Sequence, residues 1–121
     1  MELIKLDQLT RDSTPVVITL GAFDGIHYGH QQLIKRVITT ANQLDYRSVL
    51  FSFTSHPLSV IDSQHSPPLI TNWQQRAQIL NRLGLDRVYL AEFTTDFAQL
   101  EFRDFVKKYL VEQINVERVI I

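Results

Sequence analysis

With 121 residues, 45% of them apolar and 21% charged, the chain is long enough for one domain around one hydrophobic core and too apolar to stay unfolded. A formal net charge of -1 supplies no positive field to hold extended nucleic acid. The lack of cysteine excludes disulfides, thiolate nucleophiles and thiolate metal sites, and no signal-peptide core or apolar run of about 18 residues is present, so a cytoplasmic location and no membrane partner are expected.

The first clear element is the strand VVITL, residues 16–20, a nearly continuous β-branched run of the kind buried on both faces of a sheet. A glycine-rich turn, GAFDGIHYGH, follows at 21–30. Leu33, Ile34, Val37, Ile38, Ala41 and Leu44 then fall at spacings of one, three and four, which predicts a helix over 29–44. SVLFSF at 48–53 reads as a second strand, and the prolines at 57, 67 and 68 predict a loop after it. Thr71 and Gln74 fit a capping box, and Trp73, Ala77, Leu80 and Leu83 line a short helix that Gly84 stops. RVYLAEF at 87–93 is a third strand. Phe102, Phe105, Val106, Tyr109, Leu110 and Ile114 predict a last helix, whose aromatic stripe of Phe97, Phe102, Phe105 and Tyr109 is read as core. ERVII at 117–121 gives a fourth strand.

The order βαβαβαβ predicts an α/β fold, a Rossmann-like open parallel sheet with helices on both faces, because parallel neighbours need right-handed crossovers. One domain over 1–121 is expected. The ending on an apolar strand suggests a domain cut short after its fourth strand, and the open edge there would suit self-association.

In such a sheet ligands meet the carboxyl ends of the strands, which puts the weight on the turn at 21–30. Gly21, Gly25 and Gly29 permit close backbone approach. His27 and His30, three apart where the helix opens, share one side with the free N–H groups and positive dipole end of its first turn. Together they form an anion site with two added donors, suited to phosphoryl or nucleotidyl transfer. A pair of histidines alone is commonly surface decoration; their place between glycines, after a buried strand and at a helix start, argues for function. A catalytic zinc wants three protein ligands, no third is evident nearby, and no metal residues are assigned. Neither the Walker A loop nor the G-x-G-x-x-G fingerprint fits these letters.

His27-Tyr28-Gly29-His30 resembles the HxGH signature of the nucleotidylyltransferases, and the segment from Gly21 to His30 resembles the form GxFDGxHxGH of the FMN adenylyltransferase module of prokaryotic bifunctional riboflavin kinase/FAD synthetases. Phe51-Ser52-Phe53 before His56-Pro57, Leu69-Ile70-Thr71, Leu83-Gly84-Leu85-Asp86 and Phe105-Val106 extend the likeness along the chain. The resemblance implies transfer of AMP from ATP to FMN, giving FAD and pyrophosphate, with Mg2+ held through the phosphates. It makes His27 and His30 the catalytic pair that stabilises the charged transition state. Gly21, Ala22, Phe23, Asp24, Gly25 and Gly29 would bind nucleotide, and His56 and Pro57 would border the flavin. For Asp24 a turn-stabilising carboxylate is an equal reading, and for Phe23 burial beneath the turn. Ser55 stands where the family carries proline. The family's later phosphate-gripping serine and arginine segment has no counterpart within the 121 residues, which points to weak or absent turnover by this chain alone. A non-catalytic nucleotide-binding or interaction protein on the same fold is the alternative, as is another HxGH adenylyltransferase or cytidylyltransferase.

Overall fold

A computed structural model describes residues 1–11, 13–21, 28–54, 68–92 and 99–121, with side chains throughout these except at 7, 54, 68–72 and 74. Five strands, β1 (Glu2–Lys5), β2 (Val16–Leu20), β3 (Arg47–Thr54), β4 (Arg87–Glu92) and β5 (Val116–Val119), form one sheet in the order β1-β4-β3-β2-β5. Every neighbouring pair is parallel. The expected α/β parallel sheet is therefore present, with one strand more than the sequence revealed. That strand, β1, pairs with β4 from Glu2↔Arg87 to Lys5↔Leu90.

Helices cover both faces. On one, α1 (Tyr28–Leu44) and α2 (Pro68–Leu83) bury Ile34, Trp73 and Leu80 against Leu50, Val88 and Leu90. Val37 and Ala41 of α1 pack on Val17. On the other, a helix begins as α3 (Phe102–Phe105) and widens into a π-helix (Val106–Gln113), packing Phe105, Leu110 and Ile114 on Val16, Ile18, Val49 and Phe51. Strand alternation explains the division, since successive side chains of β2 go to opposite faces.

The π-helix follows from the spacing of its buried residues. Phe105 and Ile114 are nine positions apart, which at about 3.6 residues per turn puts them on opposite sides of an α-helix. In the wider i→i+5 helix, at roughly 4.4 residues per turn, nine positions make two turns and both face the sheet. The Ile114 N–H donates to the Tyr109 carbonyl at 2.8 Å, five residues back. The aromatic stripe expected as core is corrected in part: Phe105 is buried, whereas Phe102 is 73% exposed, and Phe97 lies outside the described residues.

Helix ends obey local chemistry. α2 starts at Pro68, one turn before the expected Thr71, because the first-turn N–H that proline lacks is not needed there. It ends at Gly84 (φ 96°), with the Leu85 N–H on the Leu80 carbonyl and the Gly84 N–H on the Asn81 carbonyl, both at 3.1 Å. α1 ends in the same way at Asp45 (φ 57°).

At the amino-terminal side of the sheet, the Ser48 N–H donates to the Asp86 carboxylate at 2.9 Å and the Asp86 N–H to Ser48 Oγ at 3.0 Å, tying β3 to β4. Arg11 closes the far end of the π-helix: its guanidinium donates to the Val111 and Glu112 carbonyls at 2.6 and 3.2 Å and to Asn115 Oδ1 at 3.1 Å. These carbonyls sit at the negative end of the helix, so Arg11→Ala is expected to cost about 1 kcal/mol at low salt, read as a lower urea midpoint with an unchanged slope.

Candidate functional site

Chain order along the sheet locates the site. From β2 the chain moves through β3 to β4 on one side, then returns to place β5 on the other side of β2. The crevice outside the carboxyl ends of β2 and β5 is therefore a topological switch point, the usual ligand position in open parallel sheets. Both strands run on past their formal ends: the Gly21 N–H donates to the Phe51 carbonyl at 3.1 Å and the Ile120 N–H to the Ile18 carbonyl at 2.9 Å.

α1 begins at Tyr28 and packs along β2 and β3 through Ile34, Val37 and Ala41, so as the crossover between these parallel strands it has its amino terminus, with its free N–H groups and positive dipole end, on the carboxyl-end side of the sheet. Of the expected site residues, Gly21 closes β2, Gly29 stands in the first turn of α1 and is exposed, and His30 is half-buried one residue later. A Cβ on Gly29 would meet nothing within 4 Å among the described residues. His30 lies four and seven residues before Ile34 and Val37 and so shares their sheet-facing stripe. Ala22, Phe23, Asp24, Gly25 and His27, with His56 and Pro57, lie outside the described residues.

The sequence did not point to what stands on the opposite face of the same strand ends. Leu20 ends β2, Phe53 is next to last in β3, and with Leu100, Phe102 and Phe105 they line an apolar cavity of about 280 Å³. Phe53 is fixed from behind by Phe51, whose ring meets it edge-on at 5.5 Å, and Phe51 meets Phe105 edge-on at 5.4 Å. The amino terminus of α1 and an apolar cavity thus belong to the same end of the sheet. Such a pairing can hold a molecule with a charged phosphate and a flat apolar ring. The cavity residues come from three distant segments, so no local motif announces it.

Residues 9–121 match the family model described as FAD synthetase. The bifunctional riboflavin kinase/FMN adenylyltransferase of Listeria monocytogenes is 35% identical over 86% of this chain and 33% of its own length. Those of Buchnera aphidicola (subspecies Schizaphis graminum) and Bacillus subtilis are 26% and 30% identical, over 100% and 86% of this chain. The chain spans between about a third and two fifths of these relatives' lengths. A crystal structure described as a macrolide-efflux protein from Streptococcus pneumoniae superposes with a TM-score of 0.76 at 24% identity, covering 99% of this chain and 47% of that one. At that identity the likeness establishes the fold alone. No helix among the described residues is long and apolar enough to cross a membrane. With the family model matched over nearly all of its length, the chain belongs to the FAD synthetase family.

Proposed function

We propose that this chain carries the adenylyl-transfer chemistry of an FMN adenylyltransferase. An oxygen of the FMN phosphate attacks the α-phosphorus of ATP, the bond from that phosphorus to the β-bridging oxygen breaks, and FAD and pyrophosphate leave. The observation that carries the reading is that Tyr28-Gly29-His30, which His27 precedes in the sequence, opens α1 after β2, the strand at the switch point with β5.

In this reading His27, His30 and the first N–H groups of α1 donate to the phosphate oxygens and follow the charge that grows on them as the pyrophosphate departs. Gly21, Ala22, Phe23, Asp24, Gly25 and Gly29 form the wall against the nucleotide. Magnesium arrives as the ATP complex, as part of the substrate. The apolar cavity takes the ring system of FMN, and His56 and Pro57, close after β3 in the sequence, border it in this reading. The protein then works in the cytoplasm, where ATP and FMN are available.

Formation of FAD from FMN and MgATP by this chain, followed by chromatography, tests the reading; a folded chain that binds neither substrate would contradict it. Phe102 supplies a test for the cavity, because it lines it while being largely exposed. Phe102→Ala is expected to weaken FMN binding about tenfold, the scale of one lost aromatic contact, with the melting temperature unchanged. Equal FMN affinity in the variant would remove the cavity from the site.

A further inference from the structure

β5 stands last in the sheet, paired with β2 alone, and its residues from Glu117 to Val119 are exposed. Among the described residues no strand lies along its other side. Such an edge offers a row of backbone N–H and C=O groups to a further strand. Val119 adds an apolar side chain that is 42% exposed. The sequence of the strand indicates which partner fits. Val116-Glu117-Arg118-Val119 is complementary to itself when reversed. In an antiparallel pair centred between Glu117 and Arg118, each Val116 faces Val119 of the second copy and each Glu117 faces its Arg118. Opposite charges across an antiparallel pair stabilise it and like charges destabilise it.

An antiparallel pair of identical strands has its two-fold axis perpendicular to the sheet, so it joins residues that lie on the same face. In a regular strand positions 116 and 119 point to opposite faces, and this register would be closed. The irregularity of β5 opens it. Val116 pairs with Val16, Arg118 with Val17 and Val119 with Ile18, which leaves Glu117 as an extra residue. Val16 and Ile18 both face the π-helix, so Val116 and Val119 share that face, while Arg118, opposite Val17, belongs to the α1 face. The π-helix packs over β2 and β3 through Phe105, Leu110 and Ile114 and leaves Val119 uncovered. A regular strand would meet this bulged edge out of phase, whereas a second copy brings the same bulge.

We propose that β5 is a self-complementary edge through which two copies of this chain pair, antiparallel and centred between Glu117 and Arg118, into one continuous sheet. The inference does not depend on the functional reading above. Sedimentation equilibrium of the whole chain from about 10 µM to about 1 mM tests it, the range in which so small an interface associates. The wild type is expected to move from the mass of one chain toward that of two. Glu117→Arg and Arg118→Glu each set like charges opposite one another at both contacts of the pair, and each should raise the dissociation constant about tenfold. Glu117→Arg/Arg118→Glu exchanges the two charges and should associate like the wild type, and an equal mixture of the two single variants should associate better than either alone. Both positions are exposed, so all variants should melt with the wild type at low concentration, which separates pairing from folding. The proposal is overturned if the wild type is monomeric at the highest concentration, which leaves the edge to a different occupant. It is equally overturned if the single reversals leave a dimer intact, which places association on another surface, or if the exchanged variant associates no better than the singles.

Discussion

Replacing His27 and His30 together by alanine is expected to weaken MgATP binding by more than about a hundredfold, since each charge-assisted hydrogen bond contributes about 1.5–3 kcal/mol. Where turnover is measurable, each single change should lower it by about 10²–10³, the scale seen when one preorganised donor to a developing charge is removed. Titration calorimetry on variants shown by circular dichroism to be folded provides the check. The fold should survive, because His30 sits at the margin of the α1 stripe while Ile34, Val37 and Ala41 make its buried contacts. Affinity equal to the wild type would mean that the donors at the head of α1 do not meet phosphate.

The largest stability effect is expected at Phe51. It is fully buried in the centre of β3, and its ring meets Phe53 and Phe105 edge-on, with Tyr109 tilted at 6.4 Å. Phe51→Ala removes the ring from between β3 and the π-helix and should cost about 3–5 kcal/mol, a large share of the roughly 5–15 kcal/mol that holds a domain together. Phe51→Leu, which keeps much of the volume, should cost about 1 kcal/mol. Urea unfolding of both variants measures the difference. A small effect of the alanine change would mean that the helix repacks onto the sheet without the aromatic cluster. Since Phe53 and Phe105 line the cavity, Phe51 also couples core stability to the shape of the site.

β2, β3 and β4 were legible in the sequence because burial on both faces leaves a nearly uninterrupted apolar pattern, whereas the last strand, expected at 117–121, runs over Val116–Val119 and is largely exposed. β1 was not legible, for a physical reason: ELIK is a short edge strand, half exposed, and its pairing with β4 comes from tertiary contact rather than local pattern. The last helix was legible as a helix, but an α-period reading put Phe102 inward. The π-turns shift the phase so that Phe105, Leu110 and Ile114 face the sheet together while Phe102 is left at the cavity rim. At the site, residue type and spacing in 21–30 give the expectation of an anion-binding corner, of which Gly21, Tyr28, Gly29 and His30 lie within the described residues. The apolar cavity stayed hidden because Leu20, Phe53 and Leu100 meet only once the sheet has formed.

The central claim is that nucleotide phosphates bind at the carboxyl ends of β2 and β5, under the head of α1. Backbone amide NMR shifts recorded during titration with MgATP test it most directly. The account predicts the largest changes at Leu20, Gly21, Tyr28, Gly29, His30 and Ile120, with Ser48 and Asp86 at the opposite end of the sheet unmoved. Changes centred on Ser48 and Asp86, or none in a folded chain at millimolar nucleotide, would contradict it.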